Sequence, residues 1–108
     1  MRVRVTPAAY ADLTAIKAYI AEELNNEDAA ERTVARIVAD SGRLAAFPML
    51  GADLVNVVGI QTGFRFLVSG SYLVFYKVEQ DSVALHRVIY GRRDYAQILF
   101  DMEPDTQE

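Results

Sequence analysis

The feature that most constrains this chain is the run from Tyr72 to Tyr90. Tyr72 to Val78 is apolar except at Lys77 and is rich in aromatic and β-branched residues, the composition of a strand covered on both faces. Glu79 to Ser82 is a short polar break. Val83, Leu85, Arg87 and Ile89 then alternate with Ala84, His86, Val88 and Tyr90. Two such runs joined by so short a turn predict an antiparallel hairpin. The dense cationic pair Arg92 and Arg93, followed by Asp94, comes directly after it.

The rest of the chain must supply cover for that hairpin. Val3 and Val5 alternate with Arg2, Arg4 and Thr6, which predicts a short strand with a solvated face, suited to a sheet edge. Thr6 and Pro7 form a helix start, Thr as N-cap and Pro at the first helical position. Leu13, Ile16, Ile20 and Leu24 then make one apolar stripe, with Asp12, Lys17 and Glu22 off it. Asn25 and Asn26 break this helix and cap a second, whose stripe is Ala30, Val34, Ile37, Ser41 and Leu44 and which ends at Phe47–Pro48. Two helices so closely joined predict an antiparallel helical hairpin, and neither stripe can be buried by its partner alone, so the hairpin should lie on the sheet. The stretch from Met49 to Thr62 is irregular; its apolar residues 54, 55, 57, 58 and 60 fit either a short strand or a covered loop. Phe64, Phe66 and Val68 alternate with Arg65 and Leu67 as a further strand, turned into the hairpin by Ser69, Gly70 and Ser71. The order is β-α-α-β-β-β, an α+β fold with the helices on a mainly antiparallel twisted sheet.

Residues 1–100 form a single domain in this reading, and residues 101–108 an acidic tail expected to fray. Asp101, Glu103, Asp105 and Glu108 account for the net charge of −4; the remaining body balances, with 11 acidic and 11 basic residues. A protein gripping many phosphates would need a basic body, so no direct DNA binding is expected. There is no Cys and a single His, which argues against disulfides and against thiolate- or His-based metal sites. No cofactor is expected. No leader or membrane-length apolar run is evident, so a cytoplasmic protein is expected.

Enzyme signatures are weak. No phosphate loop and no nucleophile elbow is present. The acidic pairs at 22–23 and 27–28 fit solvation and helix-dipole roles. His86 shares its strand face with Ala84 and Val88 by parity, and a packed histidine is the better reading than a reactive one. The tyrosines at 72, 76 and 90 read as core or rim. Arg92, Arg93 and Asp94 come just after a strand end and admit two readings of equal weight: an outward guanidinium pair for phosphate or carboxylate, or an Asp–Arg lock on the chain end.

Taken together, Val5 to Leu13, Phe47–Pro48 with Leu50–Gly51, Tyr72 to Val78, Arg87 to Asp94 and Ile98 to Phe100 resemble, in order and spacing, the RelE/ParE toxin superfamily of type II toxin–antitoxin modules. The resemblance implies the same β-α-α-β-β-β layout and one of two activities. The RelE-like branch cleaves ribosome-bound mRNA with basic side chains and a C-terminal Tyr. Here Arg65 and Arg93 fall at its basic positions, but Leu73, Leu67 and Leu99 stand where it has an Arg, a Lys and the Tyr. Leucine neither takes a proton nor stabilises an anion. The ending from Gly91 through Phe100 is similar to the ParE branch, which inhibits DNA gyrase by binding. Tyr90, where many relatives have His, and Ala52–Asp53, where Arg residues are often found, depart from that branch.

The expectation is therefore a ParE-like toxin, not an enzyme, acting on DNA gyrase. A cognate ParD-like, DNA-binding antitoxin would hold it in a hetero-oligomer. Target contacts are expected at Arg92, Arg93 and Tyr95, and antitoxin contacts at Leu13, Ile20, Ile98, Leu99 and Phe100. The alternatives are a ribosome-dependent mRNA endonuclease using Arg65, His86 and Arg93, and a decayed module that retains only antitoxin binding.

Overall fold

The computed structural model describes residues 1–91. Its elements run β1 (Arg2–Val5), α1 (Pro7–Ala18), α2 (Glu27–Gly42), β2 (Ala52–Asp53), α3 (Val55–Val58), β3 (Arg65–Ser69), β4 (Tyr72–Val78) and β5 (Ser82–Tyr90). Five strands form one sheet in the order β1-β5-β4-β3-β2, antiparallel throughout except for the parallel β1/β5 pair. The α1–α2 hairpin packs on one face, giving the α+β class expected. The acidic tail and every site residue from Arg92 onward lie outside the described residues.

Local chemistry sets the helix starts as the sequence predicts, whereas α2 stops at Gly42, short of the Phe47–Pro48 end expected. The Thr6 hydroxyl accepts from Ala9 N at 3.2 Å with Pro7 opening α1, and the Asn26 side chain accepts from Ala29 N at 3.0 Å to start α2. Glu27 and Asp28 lie in the first turn of α2, where the dipole favours them. A 3-10 turn at Arg43–Ala45 carries the chain out to Pro48. The two-residue link from β3 to β4 places Gly70 at φ 61°, a conformation that glycine adopts without Cβ strain.

Alternation along β4 does build cover on both faces. Val74 and Tyr76 join Ala9, Ile37, Leu44, Leu67, Val83, Leu85 and Val88 in the core beneath the helices. Leu73 and Phe75 face the other way, packing with Leu54, Val58, Phe64, Phe66 and Ile89. The irregular segment thus contributes neither a full strand nor a plain loop: β2 adds two residues to the sheet edge, and the helical turn α3 lies over the second apolar face. Tyr76 ties that segment down. Its fully buried hydroxyl accepts from Gly51 N and donates to Pro48 O, each at 2.9 Å. A side chain at Gly51 would collide with the Phe66 carbonyl, so the linker can approach this closely only as glycine.

Three further sequence expectations need correction. Leu24 does not continue the α1 stripe but is 57% exposed. Residues Tyr19–Glu23 form a π-helical turn, with Leu24 N donating to Tyr19 O, and the wider turn rotates Leu24 away from the sheet. Asp12, placed off the stripe, instead points at β5. And His86 does not share a face with Val88. Between Phe75/Tyr76 and their partners the register slips, Phe75 facing Arg87 and Tyr76 facing Leu85, so that His86 is an extra, bulged residue. Beyond the bulge the parity of β5 is reversed, which puts Val88 under the helices with Leu85.

Candidate partner-binding surface

At one end of the helix–sheet layer the start of α1 completes the edge of β5. Strand β1 ends opposite Leu85, leaving the next backbone groups of β5 without a strand neighbour on that side. Thr6 N donates to Leu85 O at 3.1 Å, and the Thr6 hydroxyl donates to His86 O at 3.4 Å. One turn along, the Asp12 carboxylate accepts from Val88 N at 2.8 Å and from Arg87 Nε and Nη2 at 2.8 and 3.0 Å. This two-pronged, charge-assisted contact fixes β5 just before it runs toward the cationic ending. The Asp12 side chain is only 16% exposed.

At the other end the layer is open among the described residues. The π-helical turn and the first turns of α2 stand away from the sheet, leaving a groove of about 890 Å³ lined by Ile16, Tyr19, Ile20, Leu24, Tyr72 and Tyr90, among others. Asn25, at φ 53°, turns the chain sharply at the hairpin tip. The rings of Tyr72 and Tyr90 meet edge to face with centroids 5.6 Å apart, a favourable aromatic geometry. Burial, and secondarily the neighbouring Tyr90 and Tyr19, push the Tyr72 phenol above its ordinary value. It therefore stays a neutral hydrogen-bond donor at physiological pH. Tyr19, Leu24 and Tyr90 are each more than half exposed on the rim. Apolar walls with hydroxyl tips suit recognition of an amphipathic segment.

Of the residues expected to contact an antitoxin, Ile20 lines this groove, whereas Leu13 packs against the core between helix and sheet. Ile98, Leu99 and Phe100, and the target residues Arg92, Arg93 and Tyr95, lie outside the described residues. Tyr19, Leu24 and Tyr90 are not among the binding residues expected from sequence. The signal that could have found Tyr19 is an aromatic residue lying off the apolar stripe at the hairpin tip.

The alternative ribonuclease set is not brought together. Arg65 donates to Gly51 O at 2.7 Å and to Met49 O at 3.3 Å, and lies 3.8 Å from Asp53, so its guanidinium clamps the linker. It shares strand parity with Leu67 and Tyr76, on the helix-covered side. His86 lies across β4 on the opposite side, edge-on to Phe64 with ring centroids 5.2 Å apart. Burial, then the positive charge of Lys77, hold the imidazole below its ordinary value, and its Nε2 is buried with no hydrogen-bond partner among the described residues. Leu67 is 8% exposed within the core, and Leu73 packs in the second apolar cluster. Arg93 is outside the described residues. Among the described residues no group of His, Asp or Glu side chains could hold a metal ion, and no helix is long and apolar enough to cross a membrane.

Among the described residues the chain has two helices on a five-stranded mixed sheet, an open groove at the hairpin tip and a β5 clamped by Asp12. The family described as "ParE toxin of type II toxin-antitoxin system, parDE" matches residues 3–95, and the chain belongs to it. A solved structure described as "Chromosomal ParDE TA system from P. aeruginosa" superposes with a TM-score of 0.72. It is 23% identical, and the match covers 85% of this chain and 97% of that one. At that identity it speaks for the fold. No curated protein sequence matches the chain.

Proposed function

We propose that this protein is the toxin of a type II toxin–antitoxin module, that it inhibits DNA gyrase by binding, and that a cognate antitoxin neutralises it in the cytoplasm. The observation that carries the reading is the ParE family match over residues 3–95. The chemistry of the described residues supports a binding role. Leucines stand at two of the ribonuclease branch's polar positions, one of them in the core, and Arg65 is engaged by the linker. That the structural neighbour comes from a toxin–antitoxin pair supports an antitoxin partner.

In this reading the antitoxin occupies the helical hairpin and its groove, while Arg92, Arg93 and Tyr95 face gyrase. The Asp12–Arg87 clamp then acts as a positioning device, setting the direction in which β5 leads into those residues. The test is Arg93→Ala, expressed with and without the neighbouring antitoxin gene. Loss of growth arrest with retained co-purification of the antitoxin is expected. Loss of both, or of neither, contradicts the assignment.

A further inference from the structure

Away from the groove, the chain leaving α2 makes a turn whose backbone is held and whose side chains are bare. Phe47 N donates to Arg43 O at 2.9 Å, and Leu50 N donates to Phe47 O at 3.0 Å, closing residues 47–50 into one turn. The buried Tyr76 hydroxyl donates to Pro48 O and accepts from Gly51 N, and Arg65 donates to Met49 O and Gly51 O. The backbone of the turn is thus fixed from beneath by two side chains of the sheet. Its own side chains are not buried in return: Phe47 is 63%, Met49 62% and Leu50 40% exposed. Met1, 49% exposed, lies alongside, its N donating to Ala45 O at 3.0 Å. Buried hydrogen bonds are spent here on holding large apolar side chains in water.

We propose that this turn is the centre of a two-fold contact with a second copy of this chain. Three observations favour that occupant. The first is preorganisation. Side chains displayed from a fixed backbone lose little freedom on binding, as anchor residues of interfaces do, and Met49 adds an adaptable apolar surface. The second is charge. Arg43 directly precedes the turn, and the 3-10 turn that carries it contacts both β1 and β5. Asp81 sits at the same end of the sheet, next to Ser82, which pairs with Arg2 of β1. Arg43 and Asp81 are both exposed, and neither has an ion pair among the described residues. An apolar centre bordered by one unpaired cation and one unpaired carboxylate complements itself about a two-fold axis, Arg43 of each copy meeting Asp81 of the other. The third is scale. A few side chains are too small a patch for a stable one-sided contact, but a two-fold axis uses each of them twice. The outcome is a weak dimer that dissociates on dilution. Helix α2, with a rise of about 24 Å, separates this turn from the hairpin tip, so the dimer leaves the groove accessible.

The test is the solution mass of the full-length protein alone, by sedimentation equilibrium across dilutions from the millimolar to the micromolar range. A mass rising with concentration toward twice that of the monomer is expected. Phe47→Asp, a change at an exposed position, buries an unpaired charge in the contact and should raise the dimer dissociation constant by about a hundredfold. Asp81→Arg should raise it by about fivefold at low salt, and Arg43→Asp added to it should restore the original value. A protein that stays monomeric throughout overturns the proposal. So does a dimer left unchanged by both Phe47→Asp and Met49→Asp with circular dichroism intact, or a charge swap that restores nothing. A monomeric protein in which Phe47→Asp abolishes antitoxin binding or toxicity would assign the turn to that other partner and overturn it likewise. The mass does not depend on toxicity, so the outcome stands apart from the gyrase assignment.

Discussion

The two ends of the helix–sheet layer are built from the same two helices yet end in opposite conditions. At the α1 start, Ala9, Ile37 and Leu44 are at most 1% exposed, and Leu85 O, His86 O and Val88 N of β5 are met by Thr6 and Asp12. At the hairpin tip, Tyr19 and Leu24 are 57% exposed and the space between helix and sheet is an open groove. The difference comes from one local event. The π-helical turn at Tyr19–Glu23 breaks the apolar register that the first three turns of α1 keep. The closed end supplies stability, and in the function proposed above the open end serves recognition.

The widest contrast should appear between two leucines. Leu44→Ala empties a fully buried site in the core and should cost about 3–5 kcal/mol. Leu24→Ala should change stability by no more than about 0.5 kcal/mol while weakening antitoxin binding. Urea denaturation of both variants, with binding measured by calorimetry, checks this; equal losses of stability would erase the distinction between the two ends. A smaller effect is expected at the clamp. Asp12→Ala removes the acceptor of Val88 N and one charged partner of Arg87, costing about 1–3 kcal/mol. It should also reduce toxicity more than antitoxin binding. If toxicity persisted once the stability loss was offset by lower temperature, the clamp would have no positioning role.

Most of this architecture is legible from local chemistry. The Thr6–Pro7 and Asn26 caps, the α2 stripe, the Gly70 turn and the β4–β5 hairpin are dictated by residue types at fixed offsets. The features that escape such reading depend on relations between distant elements. Whether β1 pairs parallel to β5 is decided by the crossover, not by residues 2–5. The bulge at His86 carries no glycine or proline to announce it, so strand parity alone misplaces Val88 and the aim of His86. Asp12 is one charged residue beside an apolar stripe, and its role exists only because β1 ends opposite Leu85. Among the described residues the second face is covered by a helical turn at Val55–Val58, too short for a periodic signal.

The smallest expected effect concerns pH. With its folded-state value held below the ordinary 6.5, His86 binds its proton more readily in the unfolded chain. Its contribution to stability is therefore intact above about pH 6.5 and is lost as pH falls from there toward the folded-state value. Lys77 and Arg4 push in that direction and Glu79 opposes it. Glu79, whose carboxyl is held low chiefly by its hydrogen bond from Arg4, acts in a separate window below its ordinary 4.5. His86→Gln should flatten the fall of the urea midpoint as pH drops below about 6.5; an unchanged slope would contradict the burial argument.

The central claim is that this ParE-family chain acts on gyrase by binding, and a supercoiling assay addresses it most directly. Purified gyrase from the native host, relaxed plasmid, ATP and antitoxin-free toxin are the only components required. Loss of supercoiling with accumulation of linear, cleaved DNA is the predicted result. Undiminished supercoiling, with toxin shown to be folded, would contradict it.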